Sequence, residues 1–173
     1  MSGTGPFWIK HAACAEIAAC DMSTFTLDVP SDYGYVVMVV GAGSFIVSQA
    51  MGVPVMAARK KFDVKYPNLY AVPGYHKEAD AFNRVQRGHQ NMFESLSPVM
   101  AMTLLGGLKY PRLNAAAFAL YLGGSYLYQK GYADTTLEVK TARYKKGGGI
   151  KWIGVLVALG SCVSLAGSML KWW

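Results

Sequence analysis

From residue 33 to residue 58 the chain runs for 26 residues without one charged side chain, and it then stops on Arg59-Lys60-Lys61. A helix rises about 1.5 Å per residue and the hydrocarbon core of a bilayer is about 30 Å thick, so this run is long enough to cross a membrane by itself. Pro54, near its end, is expected to kink the last turn without abolishing the span. Two further runs fit the same template. Residues 113–129 give 17 uncharged positions between Arg112 and Lys130, and residues 152–170 give 19 between Lys151 and Lys171. Trp152, Trp172 and Trp173 stand where an aromatic belt would lie. Only 16% of the 173 residues are charged and 53% are hydrophobic. A soluble domain carries about 25% charged residues and a disordered one is poorer in apolar side chains, so neither class fits.

The net charge of +7 does not point to nucleic acid, because the basic residues stand in short blocks between long uncharged runs. Membrane lipids are the expected surroundings. Cys14, Cys20 and Cys162 form no CxxC pair and are too scattered for a disulfide framework, so no metal site is expected.

A fourth span is harder to place. Residues 95–108 are an uncharged run of only 14, too short to cross alone. Extended back to about residue 81, the helix is long enough, but Arg84, Arg87, Asn91 and Glu94 then lie at or inside the membrane boundary. Four crossings put Arg59, Lys60, Lys61, Lys65, Lys77, Arg84, Arg87, Lys130, Lys140, Arg143, Lys145, Lys146 and Lys151 on one side, 13 of the 17 basic residues. The positive-inside rule makes that side cytosolic. The expectation is an all-α, multi-pass membrane bundle over residues 31–173. Its spans are about 33–58, 81–108, 113–132 and 151–170, with both long basic loops in the cytosol. Residues 1–30 are expected to be a poorly ordered extension; Lys10, His11 and Glu16 spoil a signal-peptide reading. Gly160, Ser164 and Ser168, at spacing four, are expected to offer a close-packing face.

Arg84, Arg87, Asn91 and Glu94 follow at spacings of three, four and three, which line one stripe of a helix at about 100° per residue. Each charge costs about 2.5–3.5 kcal/mol at the centre of an inserted helix, so the stripe must pair, face a polar cavity or snorkel. At spacing seven, Arg87 and Glu94 are not expected to be direct neighbours. In the third helix Tyr121, Ser125, Tyr128 and Tyr132 also share a face, and their hydroxyls need partners on the second helix or on a ligand. Guanidinium groups suit carboxylates, Glu94 suits an ammonium, Asn91 an amide, and Tyr128 an oxygen or sulfur anion. A small zwitterionic peptide fits that set. An aqueous path through a small four-span channel or transporter subunit is the competing reading of the stripe.

The run Arg84-Val-Gln-Arg87-Gly-His89-Gln-Asn91-Met-Phe-Glu94, with Tyr128-Gln-Lys-Gly-Tyr132, resembles the MAPEG superfamily of membrane proteins. Ala58-Arg-Lys-Lys-Phe62, Tyr66-Pro-Asn-Leu-Tyr70 and Tyr110-Pro-Arg112 extend the likeness over about residues 30–170. The resemblance implies a four-helix bundle assembled as a homotrimer in the endoplasmic reticulum membrane. Glutathione would be the co-substrate, held between neighbouring subunits near the cytosolic face. It further implies a glutathione transferase acting on lipophilic electrophiles, with glutathione-dependent reduction of lipid hydroperoxides as the second activity to expect. Carried across, Arg87, Asn91, Glu94, Tyr128 and Tyr132 match the family's glutathione contacts, while Arg59, Arg84 and His89 occupy positions that help in some members.

Activation of a thiol whose ordinary pKa is near 8.5 needs a cation or donor beside the sulfur. The arginine that does this in one branch of the family falls on Val139 here, an argument for a non-catalytic lipid-binding or scaffolding member. Tyr128 with Lys140 or Arg143 is the expected substitute. If the third helix continued past Tyr132, Arg143 would lie about 16 Å further along its axis.

Overall fold

The computed structural model describes residues 29–172; the extension expected over residues 1–30 lies outside them except for Val29 and Pro30. Among the described residues the chain forms five helices and no strand. They are α1, Tyr33–Lys61; α2, Ala79–Gly107; α3, Pro111–Tyr132; α4, Val139–Lys145; and α5, Lys151–Met169. A 3₁₀ turn, Gly148–Ile150, leads into α5. α1 runs through Pro54 to its basic end, as its uncharged run suggested. Its regular winding is interrupted earlier, by one π turn over Val39–Gly43.

Two helical stretches, Tyr33–Lys61 and Gly148–Met169, are long and apolar enough to cross a membrane, and only 17% and 22% of their most apolar windows are buried within the chain. The core helix of a soluble protein would be mostly covered. Here Val37, Met38, Phe45, Ile46, Val53 and Met56 of α1 stand exposed, as do Ile153, Leu156, Leu159 and Val163 of α5. Apolar surface on this scale belongs against lipid, where a helix satisfies its own backbone.

α2, α3 and α5 pack against one another, and α1 lies across α2 and α3. Val36, Met51, Met92, Val99, Phe118 and Tyr121 form the main core. A smaller cluster of Ala58, Val64, Ala71, Ala79 and Phe82 closes the loop between α1 and α2. The α3–α5 seam does not use Gly160, Ser164 and Ser168. Gly160 faces open space, while Ser164 Oγ accepts from Lys109 Nζ at 3.2 Å and Ser168 Oγ also accepts from it. The buried small face is Gly154, Ala158 and Ser161.

α3 ends at Tyr132, so the extension past that residue does not form. The chain turns over residues 133–138, and α4 doubles back until the Ala142 carbonyl lies against Gly131. This reversal decides which basic residue can reach the tyrosines of α3.

Candidate functional site

The stripe on α2 divides. Arg84 is buried, and its Nε donates to the Tyr132 carbonyl at 2.7 Å while its Nη2 donates to the Asp134 and Leu137 carbonyls at 2.6 and 3.2 Å. Its guanidinium ties α2 to the turn after α3 instead of facing an open ligand site. Buried charge is tolerable here because backbone oxygens accept its hydrogen bonds. In the same turn Lys146 donates to the Asp134 carboxylate at 2.8 Å, and the Thr136 hydroxyl and N–H donate at 2.6 and 3.0 Å. The Lys146 bond first, then those from Thr136, hold the Asp134 carboxyl well below the usual carboxylate range.

One turn further on, Arg87 and Glu94 form a direct, two-pronged ion pair, with Nη1 on Oε1 and Nη2 on Oε2 at 3.3 Å. Spacing seven does not keep them apart, because two extended side chains span the two turns of about 10 Å between them. Their side chains are 45% and 42% exposed on the outer flank of the chain. From this pair a chain of polar contacts runs inward. Asn91 Nδ2 lies 3.5 Å from Glu94 Oε2, and Asn91 Oδ1 accepts a hydrogen bond from Lys151 Nζ.

Lys151 is only 2% exposed, and its Nζ sits 4.3 Å above the centroid of the Tyr128 ring. Arg143 Nη1 lies 3.4 Å from the Tyr128 hydroxyl, and the guanidinium stacks 5.0 Å from the Tyr132 ring. The cluster of Arg87, Asn91, Glu94, Tyr128, Tyr132, Arg143 and Lys151 thus carries three cationic side chains and one anionic one. It is rich in donors and suits an anionic or zwitterionic ligand.

Arg143 reaches Tyr128 only because α4 folds back. Lys140 is exposed on the same helix and makes no polar contact with the cluster among the described residues. Val139 is likewise exposed. Deeper in the bundle, the Tyr121 hydroxyl donates to the Met92 carbonyl at 2.7 Å and lies 3.0 Å from Ser95 Oγ, so this phenol meets α2.

Arg59 and His89 lie elsewhere. Arg59 donates to the Asn68 and Val64 carbonyls at 2.8 and 3.3 Å and stacks 4.5 Å from the Tyr66 ring. With Gln49, Gly52, Gln86 and His89 it lines a cavity of about 320 Å³ between α1 and α2. His89 and Arg87 are two residues apart, hence about 200° apart around α2. The expected ligand contacts therefore form two groups on different faces of one chain.

Lys151 was not legible as part of the site. A lysine heading an apolar run reads as a boundary charge, and the preceding Gly147-Gly148-Gly149 is the only local sign of a tight approach. Gly148 presses onto α3, where an added Cβ would fall 2.6 Å from the Tyr128 Cα. Gly124 in turn makes room for the Lys151 backbone, whose Cα would be 2.8 Å from a Cβ there. Among the described residues no group of three or more His, Cys, Asp or Glu is placed to hold a metal ion. The model of the MAPEG family matches residues 37–167 of the 173-residue chain.

Proposed function

The chain belongs to the MAPEG family, and from that premise we propose that it is a membrane-bound glutathione transferase. The family is one of membrane proteins with mostly glutathione-related activities, although some members are not enzymes. On the motifs of α2 and α3, the chain resembles microsomal glutathione S-transferase 3.

The observation that carries the proposal is the Arg87–Glu94 pair on the outer flank of the chain, continued inward through Asn91 to Lys151, Tyr128 and Arg143. In a four-crossing bundle, Glu94 lies 13 residues from the end of α2 at Gly107, about 20 Å by helical rise and so within the hydrocarbon. Charges left there against lipid are costly, so another molecule must cover them. A second copy of the chain supplies that cover. It also resolves the split between the two groups of contacts, since the Arg59 and His89 cavity of one copy can complete the Arg87, Asn91 and Glu94 face of the next. The assembly read from the resemblance is a homotrimer in the endoplasmic reticulum membrane, with the basic loops cytosolic.

In this reading Arg87 takes a glutathione carboxylate, Glu94 the ammonium, and Asn91 a peptide oxygen. The Tyr128 hydroxyl, accepting from Arg143, has its own proton free to donate to the sulfur. Arg143 adds positive charge beside it, and both favour the thiolate. Lys140 has no part in this pairing. The thiolate then attacks an electrophilic carbon of a lipophilic substrate arriving from the bilayer. Alternatively it attacks the terminal hydroperoxide oxygen, breaking the O–O bond and releasing the lipid alcohol; the glutathione sulfenic acid so formed condenses with a second glutathione to give the disulfide and water.

The test is to purify the chain in detergent and measure glutathione binding, then turnover of a chloronitrobenzene and of a lipid hydroperoxide, with Arg87→Ala alongside. Binding and turnover that both fall with Arg87→Ala support the assignment. Binding without turnover favours a scaffold member. A wild type that does not bind glutathione, or an Arg87→Ala variant that binds it unchanged, removes the site.

A further inference from the structure

Among the described residues the buried ammonium of Lys151 has no carboxylate of its own. Glu94 is held by Arg87, and the contacts of Lys151 are the Asn91 Oδ1 and the faces of Tyr128 and Trp152, the latter 5.1 Å away. A buried cation so weakly compensated is costly, and the chain fixes it there with two close backbone approaches, at Gly124 and Gly148. A purely structural position would take an apolar side chain at lower cost.

An amide can turn over and present either its oxygen or its N–H group, and which one a ligand meets depends on its neighbours. An ammonium can only donate. Lys151 Nζ therefore holds Asn91 Oδ1 facing inward, and Nδ2 is turned outward beside Glu94 Oε2. With the oxygen turned inward to Lys151, the group Asn91 presents to a ligand is an N–H.

From this arrangement, and resting on the glutathione reading above, we infer that Lys151 is a positioning residue that locks the Asn91 amide as a hydrogen-bond donor. The subsite at Asn91 is thereby specific for an acceptor, a carboxylate or peptide carbonyl oxygen of the bound tripeptide. Lys151 acts through Asn91 and does not itself touch the ligand, because it lies sealed between α2, α3 and α5. Losing the lock lets the amide rotate, so ligand affinity falls more than the rate of the chemical step.

A double-mutant cycle on the full-length chain in detergent tests this. Lys151→Met removes the donor at similar volume; Asn91→Ala removes the amide; each is measured alone and together for glutathione Kd, glutathione KM and kcat, with thermal unfolding as the check on folding. Lys151→Met is expected to raise Kd and KM roughly tenfold while kcat changes less than threefold, and the double variant is expected to match Asn91→Ala alone. Lys151→Gln, which keeps an N–H donor without the charge, is expected to recover part of the affinity. Asn91→Asp, which pairs with Lys151 but cannot donate, is expected to bind glutathione as poorly as Asn91→Ala while unfolding no earlier than wild type.

Fold-changes that multiply in the double variant, or an Asn91→Asp variant that binds normally, overturn the inference. So does a Lys151→Met variant that loses kcat and affinity in equal proportion. If Lys151→Met does not fold, Asn91→Asp decides alone. A wild-type chain that fails to bind glutathione overturns the transferase reading itself and this inference with it; a wild type that binds, with variants that behave otherwise, overturns only the role of Lys151.

Discussion

Arg84 and Arg87 stand one turn apart on α2 and are put to opposite uses. The first is buried with its donors on three backbone carbonyls, and the second is half-exposed on the outer flank, paired with Glu94. The two arginines should therefore separate cleanly in experiment. Arg84→Ala leaves three carbonyls in the turn after α3 without their donor and is expected to cost about 2–4 kcal/mol of stability. Arg87→Ala leaves the Glu94 carboxylate without its cation at hydrocarbon depth and should cost about 1–3 kcal/mol. Unlike Arg84→Ala, it should also lower glutathione affinity at least tenfold. Chemical unfolding in detergent and calorimetric titration of both variants check the pair of outcomes.

Tyr121 is a structural phenol. Its hydroxyl donates to the Met92 carbonyl and meets Ser95, and its ring is fully buried. Tyr121→Phe should lower stability by about 1 kcal/mol and leave kcat/KM within twofold of wild type. Tyr128→Phe should do the reverse, with little loss of stability and a fall in kcat of tenfold or more. Unfolding curves and chloronitrobenzene turnover separate the two.

The turn after α3 is built on Asp134, whose carboxyl is held well below its ordinary value by Lys146 and then Thr136. A folded-state pKa below the unfolded one stabilises the fold at pH above the unfolded value, near 3.9, and that contribution fades as the pH falls from about 4 toward the folded value. Asp134→Asn should therefore narrow the stability gap between pH 5 and pH 3. Thermal unfolding of both proteins across that window gives the comparison; identical slopes would show that the Asp134–Lys146 pair does not hold in solution.

Glycine substitutions distinguish packed from open helix faces. A Cβ at Gly148 would lie 2.6 Å from the Tyr128 Cα, whereas one at Gly123 meets nothing within 4 Å. Gly148→Ala should cost about 2–3 kcal/mol or prevent folding, since backbone must move to admit the methyl. Gly123→Ala should be neutral or stabilising by up to about 1 kcal/mol, through helix propensity. Relative yield and unfolding temperature report both.

The helical layout was legible in the sequence because it rests on length and charge alone. The run after residue 33 and the apolar stretch after Lys151 both became helices that expose apolar faces. The site was legible only where its order is local. Asn91 and Glu94 keep company as helical spacing requires, but the same spacing placed Arg84 with them. Its long side chain turns instead toward carbonyls some fifty residues away. The choice of Arg143 over Lys140 depends on where α3 stops and α4 folds back, which no periodicity records. Lys151 enters through two glycine contacts made across the bundle, visible only once the helices are packed.

The π turn at Val39–Gly43 has one more consequence for α1. A wider turn takes in one extra residue, so the helical phase before it is offset by about 100° from the phase after it. With that offset Val36 and Met51, on opposite sides of the irregularity, lie about 40° apart around the axis and both point into one core. Deleting a single residue within 39–43 would restore even winding and keep that facing, so Tyr33 and Val36 would still meet α2 and α3. The aneurysm in the helix is thus an extra residue absorbed without changing which side of α1 faces its own bundle.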